Sequence, residues 1–95
     1  MRKRKPRRLW IGYVRAILQN YPHVTDRERE AVELAVTETT HQSDGETVRA
    51  IIEMVFFRRS HTLDGAAQAV HYSYSAAKRM QQRFLVCVGK HMGLP

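Results

Sequence analysis

Apolar residues recur along this sequence at intervals of three and four positions, the spacing that lines one face of an α-helix. In residues 7–20 the stripe consists of Leu9, Trp10, Tyr13, Val14, Ile17 and Leu18. The most apolar stripe follows near the middle of the chain, at Val48, Ile51, Ile52, Val55 and Phe56. No segment has a convincing strand pattern. The sequence therefore predicts an all-α fold, a small domain of four to five helices.

Residues that can cap helix N-termini divide these stripes into separate helices. Thr25, with Glu28 three positions later, forms a capping box that starts the second helix. The expected caps of the following helices are Ser43 or Asp44, then Thr62, then Ser73. Pro22 ends the first helix, because the residue before a proline avoids the helical region. Gly93 and Pro95 end the last helix.

The size and composition of the chain fit one globular domain, which we expect to span residues 9–95. Its 95 residues are 43% hydrophobic and 26% charged, as in ordinary folded proteins. No apolar run approaches the ~20 residues that span a bilayer, and no apolar segment of a secretory signal follows the basic N-terminus. A single cysteine, Cys87, excludes an internal disulfide framework and fits a reducing cytoplasm.

The charge is large, positive and unevenly distributed. Sixteen Lys and Arg against nine Asp and Glu leave a net charge of +7, which favours a nucleic acid as partner. Residues 1–8 form a basic arm, whereas residues 24–46 are net acidic. This arm is either a solvated tail or a segment that lies along phosphates, in which case Arg4, Arg7 and Arg8 contact the DNA backbone.

The segment "HTLDGAAQAVHYSYSAAKRMQQRF", residues 61–84, has the spacing of a helix-turn-helix, within a unit of about residues 47–92. A short helix rich in small residues is followed by a brief joint and a longer helix from Tyr74 to about His91. We expect Gly65 to lie where the short helix closely approaches a neighbour. The expected buried stripe of the last helix is Ala77, Met80, Phe84, Cys87 and Val88.

The opposite side of the last helix carries groups that can meet DNA. Near its N-terminus these are Tyr74, Ser75, Lys78, Arg79 and Gln82. Arginine can bind guanine through two hydrogen bonds and glutamine can bind adenine, while tyrosine and lysine contact the backbone. The alternative is an ordinary crossed helix pair in a small bundle whose polar face happens to be basic.

Two stretches resemble known transcription proteins. "VFFRRSHTLDGAAQAVHYSYSAAKRMQQRFLVCVGKHMGL" is similar to the helix-turn-helix of sigma factor region four. With "WIGYVRAILQNYP" before it, the chain resembles the small phage-encoded regulators of the RinA and ArpU kind, over most of residues 9–94. This resemblance implies that Tyr74, Ser75 and Arg79 face bases, and that four further residues lie at phosphates. These four are Lys78, Gln82, Thr62 and Arg59.

Catalytic and metal sites are not indicated. Cys87 and His91 stand one turn apart on the last helix, but structural zinc takes four ligands and no second cysteine or histidine cluster supplies the rest. The acidic residues Glu28, Glu30 and Glu33 are best explained as a solvated face, and no phosphate-binding loop or nucleophile elbow is present. We therefore expect no enzyme, no cofactor, no metal and no small-molecule substrate.

Three functions remain in competition. The leading hypothesis is a sequence-specific transcription regulator of the phage or mobile-element type that binds double-stranded DNA, with Arg58 and Arg59 neutralising phosphates. We expect a homodimer, because one recognition helix reads too few base pairs. The alternative is a module that binds RNA polymerase or a sigma factor through the acidic second helix and exposed aromatics. An RNA-binding adaptor is the third, although no RNA-reading signature is present.

Overall fold

The computed structural model describes residues 10–94, and within this range it is entirely helical, with five α-helices and no β-strand. The helices are α1 (Ile11–Asn20), α2 (Asp26–Thr40), α3 (Gly45–Ile52), α4 (Leu63–Ala69) and α5 (Tyr74–His91). One turn of π-helix, Glu53–Phe57, continues α3. The all-α prediction is confirmed. Over residues 10–94 no helix combines the length and apolarity needed to cross a membrane.

The predicted caps form at three of the four positions. The Thr25 hydroxyl accepts the Glu28 N–H at 3.1 Å, and the Glu28 carboxylate accepts the Thr25 N–H at 3.0 Å, which completes the capping box. Glu28 also accepts the Tyr13 O–H at 2.6 Å, a hydrogen bond that lowers the pKa of the Glu28 carboxyl. Thr62 and Ser73 cap α4 and α5 in the same way as Thr25 caps α2.

The cap predicted for α3 does not form. Asp44 precedes the helix, but its side chain makes no capping hydrogen bond. The carboxylate instead accepts a hydrogen bond from Arg83 of α5 at 2.8 Å. The partner in this ion pair lies 39 positions away in the sequence, outside the reach of a local pattern.

The core is built around α5, which contacts each of the other four helices. As predicted, Ala77, Met80, Phe84 and Val88 are buried, whereas Cys87 is only half-buried. The buried stripe is wider than predicted, since it also includes Gln81, Leu85 and Gly89. A helix surrounded by four neighbours buries more than one narrow stripe, and this explains the difference.

Close backbone approach occurs at Gly45 and Gly89, not at Gly65. A Cβ on Gly45 would lie 2.3 Å from the Thr39 carbonyl oxygen, and one on Gly89 would lie 2.2 Å from the Trp10 ring. A Cβ on Gly65 would meet only Thr62 and His61, at ordinary contact distances of 3.4 Å and more. The expectation for Gly65 was therefore wrong, because the buried side of α4 is formed by its alanines instead.

We predict opposite effects of alanine at two glycines. Gly45→Ala forces the α2–α3 connection to shift and should destabilise the domain by about 1–3 kcal/mol. Gly65→Ala adds a methyl group where space exists and favours the helix, so it should stabilise by up to about 1 kcal/mol. Thermal melting followed by circular dichroism measures both. Equal melting temperatures for the two variants would contradict the packing described here.

Candidate nucleic-acid interface

Helices α4 and α5 form the short-helix, turn and long-helix arrangement that the sequence predicted. The two helices pack directly on each other, joined by residues 70–73. Small side chains make the contact close, since Ala66, Ala67 and Ala77 are at most 1% exposed. Helix α3 and the π-helical turn also pack on α4. The arrangement holds the N-terminal end of α5 at the surface.

The joint between α4 and α5 is set by a helix-ending motif around His71. His71 adopts a left-handed backbone with φ of 63° and donates its N–H to the Gln68 carbonyl. The next residue, Tyr72, donates its N–H to the Ala67 carbonyl. This pair of hydrogen bonds is the Schellman motif, which usually places glycine at the left-handed position. Gly93 holds the equivalent position at the end of α5, with φ of 81°.

The first turns of α5 expose the five side chains predicted to meet DNA. All of Tyr74, Ser75, Lys78, Arg79 and Gln82 are exposed. The ring of Tyr74, 49% exposed, is among the most accessible aromatic groups of residues 10–94. Within that range none of the five forms a side-chain hydrogen bond or ion pair, so their donors and acceptors are available to a partner. Ser73 caps the helix directly before them.

Three other predicted contact residues are engaged within the domain. Arg58 pairs with Glu53 at 3.5 Å. Arg59 has a left-handed backbone, with φ of 55°, and its guanidinium donates to the carbonyls of Phe56 and Gln19. These bonds tie the end of α1 to the end of the π-helical turn.

Thr62 is the third of these engaged residues. Its hydroxyl oxygen accepts the Gly65 N–H at 3.1 Å, which leaves the hydroxyl hydrogen to be donated. The remaining predicted phosphate contacts, Arg4, Arg7 and Arg8, lie outside the residues that the structure describes.

A basic cleft of about 700 Å³ opens beside the exposed side of α5. Residues of α1, the π-helical turn, the connection that follows it, α4 and α5 line the cleft. They include Arg15, Arg59 and Lys78 but no Asp or Glu. The contribution of α1, namely Arg15 and Gln19, was not predicted from the sequence. Their spacing of four residues, off the apolar stripe, was the available signal, but only the fold shows that this face of α1 adjoins α5.

A second group of potential ligand residues lies near the other end of α5. The structure brings Glu38 of α2 next to Cys87 and His91, the pair whose spacing raised the question of a metal. Glu38 was missed because it is 53 positions from His91. This cluster is separate from the exposed side chains at the N-terminus of α5.

Comparison with known proteins gives no match for this chain, among protein-family models, curated proteins or solved structures. The resemblance to sigma factor region four and to phage regulators therefore stays a prediction. What bears on function is the geometry of α4, α5 and the basic cleft.

We predict that His71→Gly stabilises the domain by about 1 kcal/mol, because glycine adopts the left-handed backbone without the steric cost of a Cβ. His71→Ala is the matched control, since alanine loses the imidazole but keeps the Cβ, and it should gain no stability. Urea denaturation of both variants measures the difference. A stabilisation of the same size in both would show that the imidazole, not the backbone conformation, is unfavourable.

Proposed function

We propose that this protein is a sequence-specific DNA-binding transcription regulator, of the phage or mobile-element type, that inserts α5 into the major groove. One observation carries the proposal: the five exposed side chains at the start of α5 have no partner within residues 10–94. They stand on a helix whose opposite side is buried in the core. In helix-turn-helix proteins the N-terminal residues of the second helix are those that contact base edges.

The chemistry of these side chains suits both base and backbone contacts. The major groove, roughly 12 Å wide, admits an α-helix, and an arginine there recognises guanine through two hydrogen bonds. We assign Arg79, Ser75 and Tyr74 to the bases. Lys78 and Gln82 follow one turn later, and we assign them to phosphates.

The basic cleft supports backbone contacts on one flank of α5. Arg15, Arg59 and Lys78 line it without a neighbouring carboxylate among the lining residues, so a phosphate would meet only favourable charge there. Arg58 and Thr62 are assigned to the same flank, and the N-terminal arm supplies further charge through Arg4, Arg7 and Arg8. A homodimer would place two copies of α5 on two half-sites.

A second candidate function is binding to RNA polymerase or a sigma factor. An apolar groove of about 450 Å³ between α2 and α3 favours it, and its lining includes Tyr21, Val32, Val36, Ile52 and Phe57. A regulator could use this groove while α5 holds DNA.

Selection of bound duplexes from a random DNA pool tests the main proposal, and light scattering gives the stoichiometry of the complex. We expect a defined sequence motif, a dimer on a two-fold symmetric site, and affinity that falls steeply with salt. Failure to enrich any sequence, together with binding to purified RNA polymerase, would favour the second candidate.

We predict that Arg79→Ala weakens binding to the selected site by about 1–3 kcal/mol and relaxes the preference at one base pair. Arg49→Ala is the control, because Arg49 is also exposed but lines the apolar groove instead of the exposed side of α5. Competition binding with matched and mutated duplexes measures both variants. An equal loss on every duplex would make Arg79 a phosphate contact only.

We predict that deleting residues 2–8, which contain six Lys and Arg, leaves the fold intact and weakens binding to every DNA sequence. The dependence of affinity on salt should become shallower, by about 0.9 in logarithmic slope for each phosphate that the shortened chain no longer neutralises. A variant with glutamine at the same six positions keeps the chain length and should behave like the deletion. An unchanged slope would show that the arm does not contact phosphates.

A further inference from the structure

Three side chains with metal-ligating atoms meet where the end of α2 packs on α5. They are Glu38 from α2 and Cys87 and His91 from successive turns of α5. Their ligand atoms all lie within 4.8 Å of one another, and His91 Nε2 is 2.9 Å from Glu38 Oε1. Both helices are long and in extensive contact, so the three side chains are held on rigid elements.

The chemistry of the three groups matches that of zinc ligands. Zinc binds thiolate, imidazole and carboxylate at about 2.0–2.3 Å, so the ligand atoms of a tetrahedral site lie about 3.5 Å apart. A separation at the 4.8 Å limit would therefore have to shorten by about 1.3 Å for zinc geometry. Glu38 can make such a shift, because its side chain is 57% exposed.

The surroundings of the cluster also suit a metal ion with one coordination position open to water. Cys87 is half-buried, the His91 side chain is 28% exposed, and a small cleft of about 150 Å³ beside Glu38 and Cys87 gives access to water.

Metal binding at this cluster balances in protons and charge. The thiol releases its proton to solvent, and the proton with which His91 Nε2 hydrogen-bonds to Glu38 moves through solvent to Nδ1, so that Nε2 becomes the ligand. A thiolate and a carboxylate then neutralise the two charges of the ion. No uncompensated charge is left between the helices.

We propose that Glu38, Cys87 and His91 bind a divalent ion of the zinc class, with water in the fourth position. The site would fasten the C-terminal end of α2 to α5. It is independent of the proposed DNA binding, because its residues belong to a different surface.

Titration of the reduced, chelator-treated protein with Co²⁺ tests the site, since Co²⁺ replaces zinc and reports its ligands by absorption. We expect a thiolate-to-cobalt charge-transfer band in the near ultraviolet and visible bands of tetrahedral intensity, both lost on addition of Zn²⁺. Saturating Zn²⁺ should raise the melting temperature by more than about 5 °C, and a chelator should reverse the rise.

Variants of the cluster distinguish metal binding at this site from metal binding by surface histidines. Cys87→Ser should abolish the charge-transfer band. His91→Gln and Glu38→Gln should each lower the affinity for the metal ion by about 100-fold or more. This is at least the loss seen when a residue that only hydrogen-bonds to a metal ligand is changed. His23→Gln, at an exposed histidine in the α1–α2 connection, is the control and should change nothing. Absence of the thiolate band in the parent protein, or equal Zn²⁺ affinity in parent and Cys87→Ser, would overturn the proposal.

Discussion

The packing of four helices around α5 is the constraint on which the rest of the structure depends. Phe84, Leu85 and Val88 are at most 2% exposed, and each is in the part of α5 that the other helices surround. Because the core holds one side of α5 so completely, the orientation of its opposite side is determined too. Side chains at the N-terminal end are thereby presented from a rigid support, which reduces the entropy lost when they order on a partner.

Whether a basic side chain already has a partner within the domain says more about its surroundings than the net charge of +7 does. Several arginines are used inside the domain, donating to carbonyls or pairing with carboxylates: Arg27, Arg29, Arg58, Arg59 and Arg83. Lys78 and Arg79 have no such partner within residues 10–94. Basic residues without an internal partner must be solvated or meet an anion, and Lys78 lines a cleft whose lining lacks acidic residues.

Local features were predictable from the sequence, and contacts between distant residues were not. The caps at Thr25, Thr62 and Ser73 join atoms three residues apart, so the sequence pattern contains the whole interaction. By contrast, the Asp44 side chain does not cap α3 as expected but pairs with Arg83, 39 positions away. The role of Gly65 was misjudged for the same reason, since only the fold shows which helix lies opposite a glycine. The part that Arg15 plays in the basic cleft likewise follows from packing.

The two proposed sites lie at opposite ends of α5, and this separates two possible effects of a bound metal. Arg79 and Cys87 are eight residues apart, about 12 Å along the helix axis, so an ion at Cys87 contacts none of the side chains assigned to bases. Its direct effect would be to favour the folded domain. If Zn²⁺ strengthens DNA binding, the gain should therefore be largest in destabilised variants and vanish where the domain is already fully folded. A gain that persisted in the fully folded protein would instead require α5 to change position on metal binding.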